Sequence, residues 1–137
     1  MAEERHSINS GTEWEALASF SRAVRFGDHI WVSGTTAVGP DGVVGESDPA
    51  TQMNFIIDKI QFAIIKLGGQ LSDVVRTRVF VADIAYWQPV ARVHGERFRG
   101  VRPANTLVEA RLVAPELLVE VEAEAMLGSG QSASGIG

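Results

Sequence analysis

Cysteine is absent from this chain of 137 residues, and histidine is scarce. Without cysteine, the protein has no disulfides, thiol nucleophiles or cysteine-ligated zinc. The three histidines, His6, His29 and His94, lack the short spacing of a metal-binding pair. No apolar run is long enough to span a membrane, and Met1–Ser10 lacks the apolar core of a signal peptide. We therefore expect a cytoplasmic protein with no metal and no association with membranes.

Basic residues are also in short supply, since 12 Lys and Arg face 17 Asp and Glu, giving a net charge of −5. Phosphate binding depends on clustered Lys and Arg, so the balance argues against nucleic acid as the main partner. Apolar residues make up 45% of the chain, which is ordinary for a globular protein, and the length fits one domain.

The stretch from Leu117 to Leu127 has the period of two that is typical of a strand. One face carries only apolar residues and should face the core. The other face carries Glu120, Glu122 and Glu124 between Leu118 and Met126. Solvated glutamates on an outer face are the favoured explanation of this pattern. The alternative is a face partly covered through Leu118 and Met126, where carboxyl groups acquire raised pKa values and can hold a proton.

Two amphipathic helices are predicted. Asp48-Pro49 starts the clearer one, in which apolar residues recur at three- and four-residue steps until Gly68-Gly69 ends it. The second spans Trp87–Phe98, with Trp87, Val90, His94 and Phe98 as its apolar side and Pro89 in its first turn.

Strands are predicted around these helices. A hairpin spans Phe20–Phe26 and His29–Thr36, and further strands cover Leu71–Ala82, Asn105–Leu112 and Leu117–Leu127. Within Leu71–Ala82, alternation places Val75, Thr77, Val79 and Val81 on the face opposite Val74, Arg76, Arg78 and Phe80. A helix between strands implies parallel pairing. At the N-terminus, residues 1–18 are expected to form an edge strand and a loop packed down by Trp14 and Leu17. Residues 128–137 are expected to form a flexible Gly/Ser-rich tail.

The two helices can cover only one face of such a sheet, and the other face still bears apolar side chains. We therefore expect copies of the chain to associate through their sheets, with ligand clefts where subunits meet.

Several segments, in order, resemble the Rid family, the YjgF-type reactive-intermediate deaminases that are also called L-PSP endoribonucleases. The resemblance covers residues 19–127 and rests on Ser19–Val24, Gly27–Gly34, Gly68–Val75, Val79–Asp83, Pro103-Ala104 and Val119–Ala123. It implies an α+β fold of the chorismate-mutase-like (bacillary) type, a mixed sheet with two helices on one face. It also implies a homotrimer with clefts between subunits. Active members hydrolyse imino or enamine acids to keto acids and ammonia without a cofactor.

The segment after Pro103-Ala104 departs from the family pattern. Deaminase members carry an arginine there that clamps the substrate carboxylate, whereas this chain has Asn105, followed by Thr106 and Leu107. A neutral amide does not replace a guanidinium. Losing one charge-assisted contact costs about 1.5–3 kcal/mol, or roughly ten- to a hundredfold in affinity. We therefore expect an altered substrate, with Arg22 a better substitute for the clamp than Arg102.

The resemblance also assigns the remaining pocket positions. Glu122 matches the acidic pocket residue and is the predicted catalytic group. The predicted ligand-binding residues are Phe20, Arg22, Ser33, Gly34, Ala91, Asn105, Thr106 and Leu107. Two alternatives stay open: a trimer that binds a small ligand without catalysis, and, less favoured by the acidic charge, an endoribonuclease.

Overall fold

The computed structural model describes residues 3–131. Eight strands and three α-helices occur in this part of the chain. In chain order they are β1 (Arg5–Ile8), α1 (Glu13–Ala18), β2 (Ala23–Phe26), β3 (His29–Thr36), β4 (Val38–Gly39), β5 (Gly42–Val43), α2 (Pro49–Lys66), β6 (Val74–Val81), α3 (Trp87–Arg97), β7 (Ala104–Glu109) and β8 (Val119–Met126). Six strands form one mixed sheet in the order β1-β2-β3-β8-β6-β7, and β4 and β5 form a separate hairpin. The α+β fold with a mixed sheet is as predicted.

Helix α2 begins and ends as its sequence predicts. The side chain of Asp48 accepts a hydrogen bond of 3.2 Å from the backbone N–H of Thr51, and Pro49 occupies the first helical position. Gly68, at a φ of +96°, follows the last turn. The buried stripe consists of Gln52, Met53, Ile56, Ile57, Ile60, Ala63 and Ile64. Against it pack strands β3 and β8 and helix α3.

The expected parallel pairing occurs in one of the two crossovers. Strands β6 and β7, which α3 connects, are direct parallel neighbours. Strands β3 and β6, which α2 connects, also run in the same direction, but β8 lies between them and pairs antiparallel with both. The prediction of adjacent strands across α2 was wrong, because the last strand of the sheet inserts at its centre.

Strand β8 alternates as predicted, with Val119, Val121, Ala123 and Ala125 buried in the core. The alternation predicted for β6 fails at its start. A register shift between Val74 and Arg76 leaves Val74 only 2% exposed and Val75 37% exposed, which reverses the predicted positions of these two valines. From Arg76 onward the faces are as predicted, with Thr77, Val79 and Val81 in the core.

Two packing predictions were wrong. Residues Glu13–Ala18 form a helix rather than a loop, and Leu17, expected to pack on the body, is 86% exposed. In α3, Trp87 is exposed, and its predicted place among the buried residues is taken by Val93. Thr12 caps α1 through its side chain, which is a signal for a helix start that the sequence carries.

The two ends of the domain are tied to the sheet. Strand β1 pairs with β2. At the other end, the carboxylate of Asp73 accepts from the backbone N–H groups of Gly128 and Gly130 at 3.1 and 3.2 Å. The predicted tail therefore begins with a fixed turn. Residues 132–137, the rest of that prediction, lie outside the described part of the chain. Within residues 3–131, no helix is long and apolar enough to cross a membrane.

Candidate functional site

Helices α2 and α3 pack on one side of the large sheet, and the opposite side, the open face, carries the three glutamates of β8. Cross-strand register places Arg78 of β6 beside two of them. Its Nη1 lies 3.1 Å from the Oε1 of Glu122 and 3.4 Å from the Oε1 of Glu124. Glu124 also lies 3.4 Å from the Nε2 of His29. The open face thus contains a partly exposed network of charges in which Glu122 has a cationic partner.

Glu120 has different surroundings. Its carboxylate lies directly against Gly34 of β3, where an added Cβ atom would overlap it. Burial raises the pKa of Glu120, the charge of Arg22 works against this rise, and Glu122 adds to it.

Arg22 is a buried cation next to Glu120. Its Nη2 donates to the backbone carbonyl of Gly34 at 2.7 Å, and its guanidinium lies 5.7 Å from the centre of the Phe20 ring. The backbone fixes this position, because the N–H of Arg22 donates to Ile8 and its carbonyl accepts from Ser33. The structure therefore brings together four of the predicted residues, Phe20, Arg22, Ser33 and Gly34, and adds Glu120 to them. We call these five residues the Gly34 group.

A backbone irregularity creates the contact between Gly34 and Glu120. The pairing of β3 with β8 shifts register between Val32 and Thr35. At this shift, the Oγ of Ser33 donates to the carbonyl of Ser21 at 2.7 Å. Such bulges redirect side chains and backbone groups at binding sites.

The predicted residues of β7 lie elsewhere. Thr106 is on the open face, where its Oγ1 accepts from Arg76 at 3.0 Å. Asn105 and Leu107 face the helix side of the sheet: Asn105 donates to Thr77, and Leu107 packs against the core. Strands β8 and β6 separate β7 from β3, a distance of roughly 14 Å at ordinary strand spacing. Within one chain, the β7 residues and the Gly34 group do not share a pocket.

The other predicted positions are also apart from Gly34. Ala91 lies half-buried in α3, on the helix side, and Arg102 is exposed at a φ of +53° just before β7. Glu122, the predicted catalytic residue, lies on the open face one alternate position along β8 from Glu120. Among the described residues, no group of three His, Asp or Glu side chains could hold a metal ion.

Lys59 was not among the predicted site residues, but it lines the same cavity as Arg22. Its Nζ donates to the carbonyls of Thr36 and Val38 at 2.7 and 3.0 Å. Burial, reinforced by the charge of Arg22, lowers the pKa of Lys59 to about 8. Lys59 and Arg22 both line a cavity of about 300 Å³ between α2 and the first strand. In the sequence, Lys59 is one of several polar residues outside the apolar stripe, so its burial is visible only in the fold.

The raised pKa of Glu120 predicts a pH-dependent effect of Glu120→Gln. In the folded state this pKa lies above the ordinary value of 4.5, so the folded protein binds more protons than the unfolded chain in that range. The free energy of unfolding of the wild type should then fall as the pH rises through the raised pKa. In the variant, the side chain at position 120 is uncharged at every pH, so the free energy of unfolding does not fall in this way. Its stability relative to wild type should therefore increase between about pH 4 and about pH 8.

Urea unfolding at these two pH values measures the effect. Glu96→Gln, at an exposed glutamate of α3, is the control and should show no such change. A Glu120→Gln variant whose relative stability stays constant with pH would contradict the raised pKa.

These features define an α+β protein with a two-helix layer, a polar open face and a buried arginine at a bulged strand. The chain belongs to the Endoribonuclease L-PSP family, which matches residues 10–127. The resemblance to Rid proteins is thereby confirmed.

Three relatives show the extent of the similarity. A Mycobacterium tuberculosis structure, Rv2704 of the YjgF/YER057c/UK114 family, is 41% identical, with a TM-score of 0.83 over 90% of this chain and 100% of that one. The Rid family protein YyfA from Yersinia pestis is 25% identical, with a TM-score of 0.79 over 90% and 100% of the two chains. An uncharacterized protein of Streptomyces coelicolor is 38% identical over 91% of this chain and 94% of its own.

Proposed function

We propose that this protein hydrolyses a small imine or enamine to a carbonyl compound and ammonia, in clefts between the subunits of a homotrimer. The observation that carries the proposal is the position of Glu120. This half-buried carboxyl group has a raised pKa and lies against Gly34, next to the buried Arg22. A carboxyl group whose pKa is raised by burial holds a proton to higher pH than an exposed one, which suits it to general acid–base catalysis.

The proposed reaction needs one proton carrier and one water molecule. The water oxygen bonds to the imine carbon, while one of its protons passes to the Glu120 carboxylate and from there to the nitrogen. The carbon–nitrogen bond of the resulting amino alcohol then breaks as the hydroxyl proton is transferred to nitrogen, releasing ammonia and leaving a C=O group. The positive charge of Arg22 favours the ionised form of Glu120 that accepts the first proton.

The separation of the predicted residues supports the trimer. The Gly34 group and the β7 residues Asn105 and Thr106 lie roughly 14 Å apart in one chain. A second copy, bringing its β7 edge to the Gly34 group, would complete a cleft from two half-sites. The open face also exposes large apolar side chains suited to such a contact, namely Phe26, Trp31, Val108 and Met126.

One observation favours a second candidate, a trimer that binds a ligand without catalysis. Asn105 occupies the position of the family's clamping arginine and uses its amide to bond Thr77. RNA cleavage receives no such support, since the open face presents three carboxylates and the chain has a net charge of −5.

Imines released by an amino-acid oxidase provide the test. The purified protein should accelerate formation of the keto acid from at least one of a panel of small, branched and aromatic amino acids. Glu120→Gln should lower the rate about a hundredfold because the proton carrier is lost. Glu122→Gln tests the prediction made from the resemblance, and Glu96→Gln is the matched control on an exposed helix.

The outcomes separate the alternatives. Loss of activity in Glu122→Gln with full activity in Glu120→Gln would transfer the catalytic role to Glu122. No acceleration with any imine would contradict catalysis, and thermal shifts with carboxylates and amines would then test the binding candidate. A monomer in sedimentation analysis would contradict the intersubunit cleft.

A further inference from the structure

Three polar side chains form a continuous row of hydrogen bonds on the helix side of the sheet, and we name it the His94–Thr77–Asn105 relay. The Nε2 of His94, in α3, lies 2.8 Å from the Oγ1 of Thr77 in β6. The same oxygen lies 2.9 Å from the Nδ2 of Asn105 in β7. Thr77 is fully buried, His94 is half-buried, and Asn105 is exposed at the edge of the sheet. The relay thus connects a titratable ring to a solvent-facing amide through one hydroxyl group.

The chemistry of the hydroxyl allows the relay to run in two directions. A threonine hydroxyl has one proton to donate, and among the described residues Thr77 has only these two side-chain partners. In the first direction, Thr77 donates to an unprotonated Nε2 and accepts from the amide of Asn105. In the second direction, the Nε2–H of His94 donates to Thr77. Thr77 then donates to the Oδ1 of Asn105, whose side-chain amide has rotated so that its oxygen faces Thr77. A buried hydroxyl needs an acceptor, so a mixed arrangement is disfavoured.

The two directions expose different groups of Asn105. The first leaves its carbonyl oxygen free to accept from a ligand. The second leaves its NH₂ group free to donate. A doubly protonated His94 has no acceptor nitrogen and permits only the second direction.

We propose that His94 and Thr77 are positioning residues that select the group Asn105 offers to a ligand, so that a carboxylate is bound through the Asn105 NH₂ group together with protonation of His94. The proposal rests on the proposed function in one respect, namely that Asn105 faces the ligand. In this arrangement the positive charge that attracts the carboxylate comes from His94, through Thr77, and only when the His94 ring is protonated.

Among the described residues of α3, no charged side chain stabilises the protonated form of the His94 ring. Burial lowers the pKa of His94, so the ring is neutral at pH 7 in the free protein. The ring of Phe98 lies 4.6 Å away. Arg92 and Glu96 are exposed, and Arg97 forms an ion pair with α2.

The strands that pack against His94 supply no counter-charge either, within the described part of the chain. Arg76 and Arg78 of β6 point to the open face, on the other side of the sheet. Glu109 of β7 accepts from a backbone N–H near the start of α3. A carboxylate bound at Asn105 would therefore supply a negative charge that His94 otherwise lacks, since burial is the cause of its lowered pKa. By linkage it raises the pKa of His94, and its own affinity increases as the pH falls.

A matched pair of probes, pyruvate and pyruvamide, tests the proposal by calorimetry. Pyruvate should bind about tenfold more tightly at about pH 5.5 than at about pH 8, because one proton is taken up. Pyruvamide should show no such dependence, since its amide satisfies either direction of the relay. His94→Gln and Thr77→Val should each abolish the pH dependence for pyruvate. His6→Gln, at an exposed histidine, is the control and should leave it unchanged.

Nuclear magnetic resonance of the free protein tests the relay without any ligand or activity. The side-chain amide signals of Asn105 should shift with the same midpoint as the ring of His94, and Thr77→Val should break this correspondence. The proposal would be overturned if the Asn105 amide signals and the His94 ring titrated with different midpoints. It would also be overturned if pyruvate affinity depended on pH as strongly in His94→Gln as in the wild type. Binding of neither probe would overturn its ligand-binding part. Pyruvate binding with the expected slope but without imine turnover would contradict the proposed function and leave the relay standing.

Discussion

Gln52→Ala should lower the free energy of unfolding by about 3 kcal/mol or more, although it removes a single polar side chain. Gln52 is fully buried in α2. Its Nε2 donates to the carbonyls of Gly45 and Glu116 at 3.1 and 3.0 Å, and its Oε1 accepts from the N–H of Leu118 at 2.9 Å. Alanine leaves these three backbone groups without partners and opens a cavity, and each unpaired buried group costs about 1–3 kcal/mol.

Chemical denaturation measures this effect, with Gln61→Ala as the matched control. Gln61 lies in the same helix, half-buried, and makes no side-chain hydrogen bond within the described residues. Its variant should stay within about 0.5 kcal/mol of wild type. A Gln52→Ala variant that loses less than about 1 kcal/mol would show that water satisfies the three backbone groups.

Gly34→Ala should lower imine turnover about a hundredfold while leaving the protein folded, because displacing a reactive group by about 1 Å is enough for such a loss. The added methyl group overlaps the carboxylate of Glu120, which is the mobile end of its side chain and can turn away. The backbone of Gly34 is not in the left-handed region, so alanine causes no strain there. Turned toward solvent, Glu120 should also lose its raised pKa.

Carbon-13 resonances of the Glu120 carboxyl group measure that pKa independently of any activity. Gly95→Ala is the control, since a Cβ there meets nothing within 4 Å in an exposed turn of α3. It should keep full activity and gain about 0.5–1 kcal/mol of stability from the better helix former. If Gly34→Ala retains both the raised pKa and wild-type kinetics, Glu120 does not depend on Gly34 for its position.

Local sequence signals predicted most of the fold. The cap at Asp48, the apolar stripe of α2 and the alternation of β8 are properties of neighbouring residues, and the structure reproduces them. The wrong predictions concern features that depend on contacts between residues far apart in the sequence. The reversal of Val74 and Val75 depends on a register shift against β8, and the insertion of β8 between β3 and β6 depends on the whole sheet.

The candidate site shows the same limit. Glu120 and Glu122 are equivalent in the sequence, since both alternate on one face of one strand. The structure distinguishes them through their neighbours on adjacent strands, Gly34 beside Glu120 and Arg78 beside Glu122. The His94–Thr77–Asn105 relay could not be predicted from the sequence either, because its members come from three elements that are separate in sequence.

The central position of β8 has a consequence for how the protein is made. A ribosome delivers the strands in order, and the one that joins β1-β2-β3 to β6-β7 is the last of the described strands to emerge. Until then the nascent chain holds two half-sheets, each with an unpaired edge that could recruit another chain. Completion of the sheet therefore waits for β8 and requires contacts between residues far apart in sequence, which slows folding.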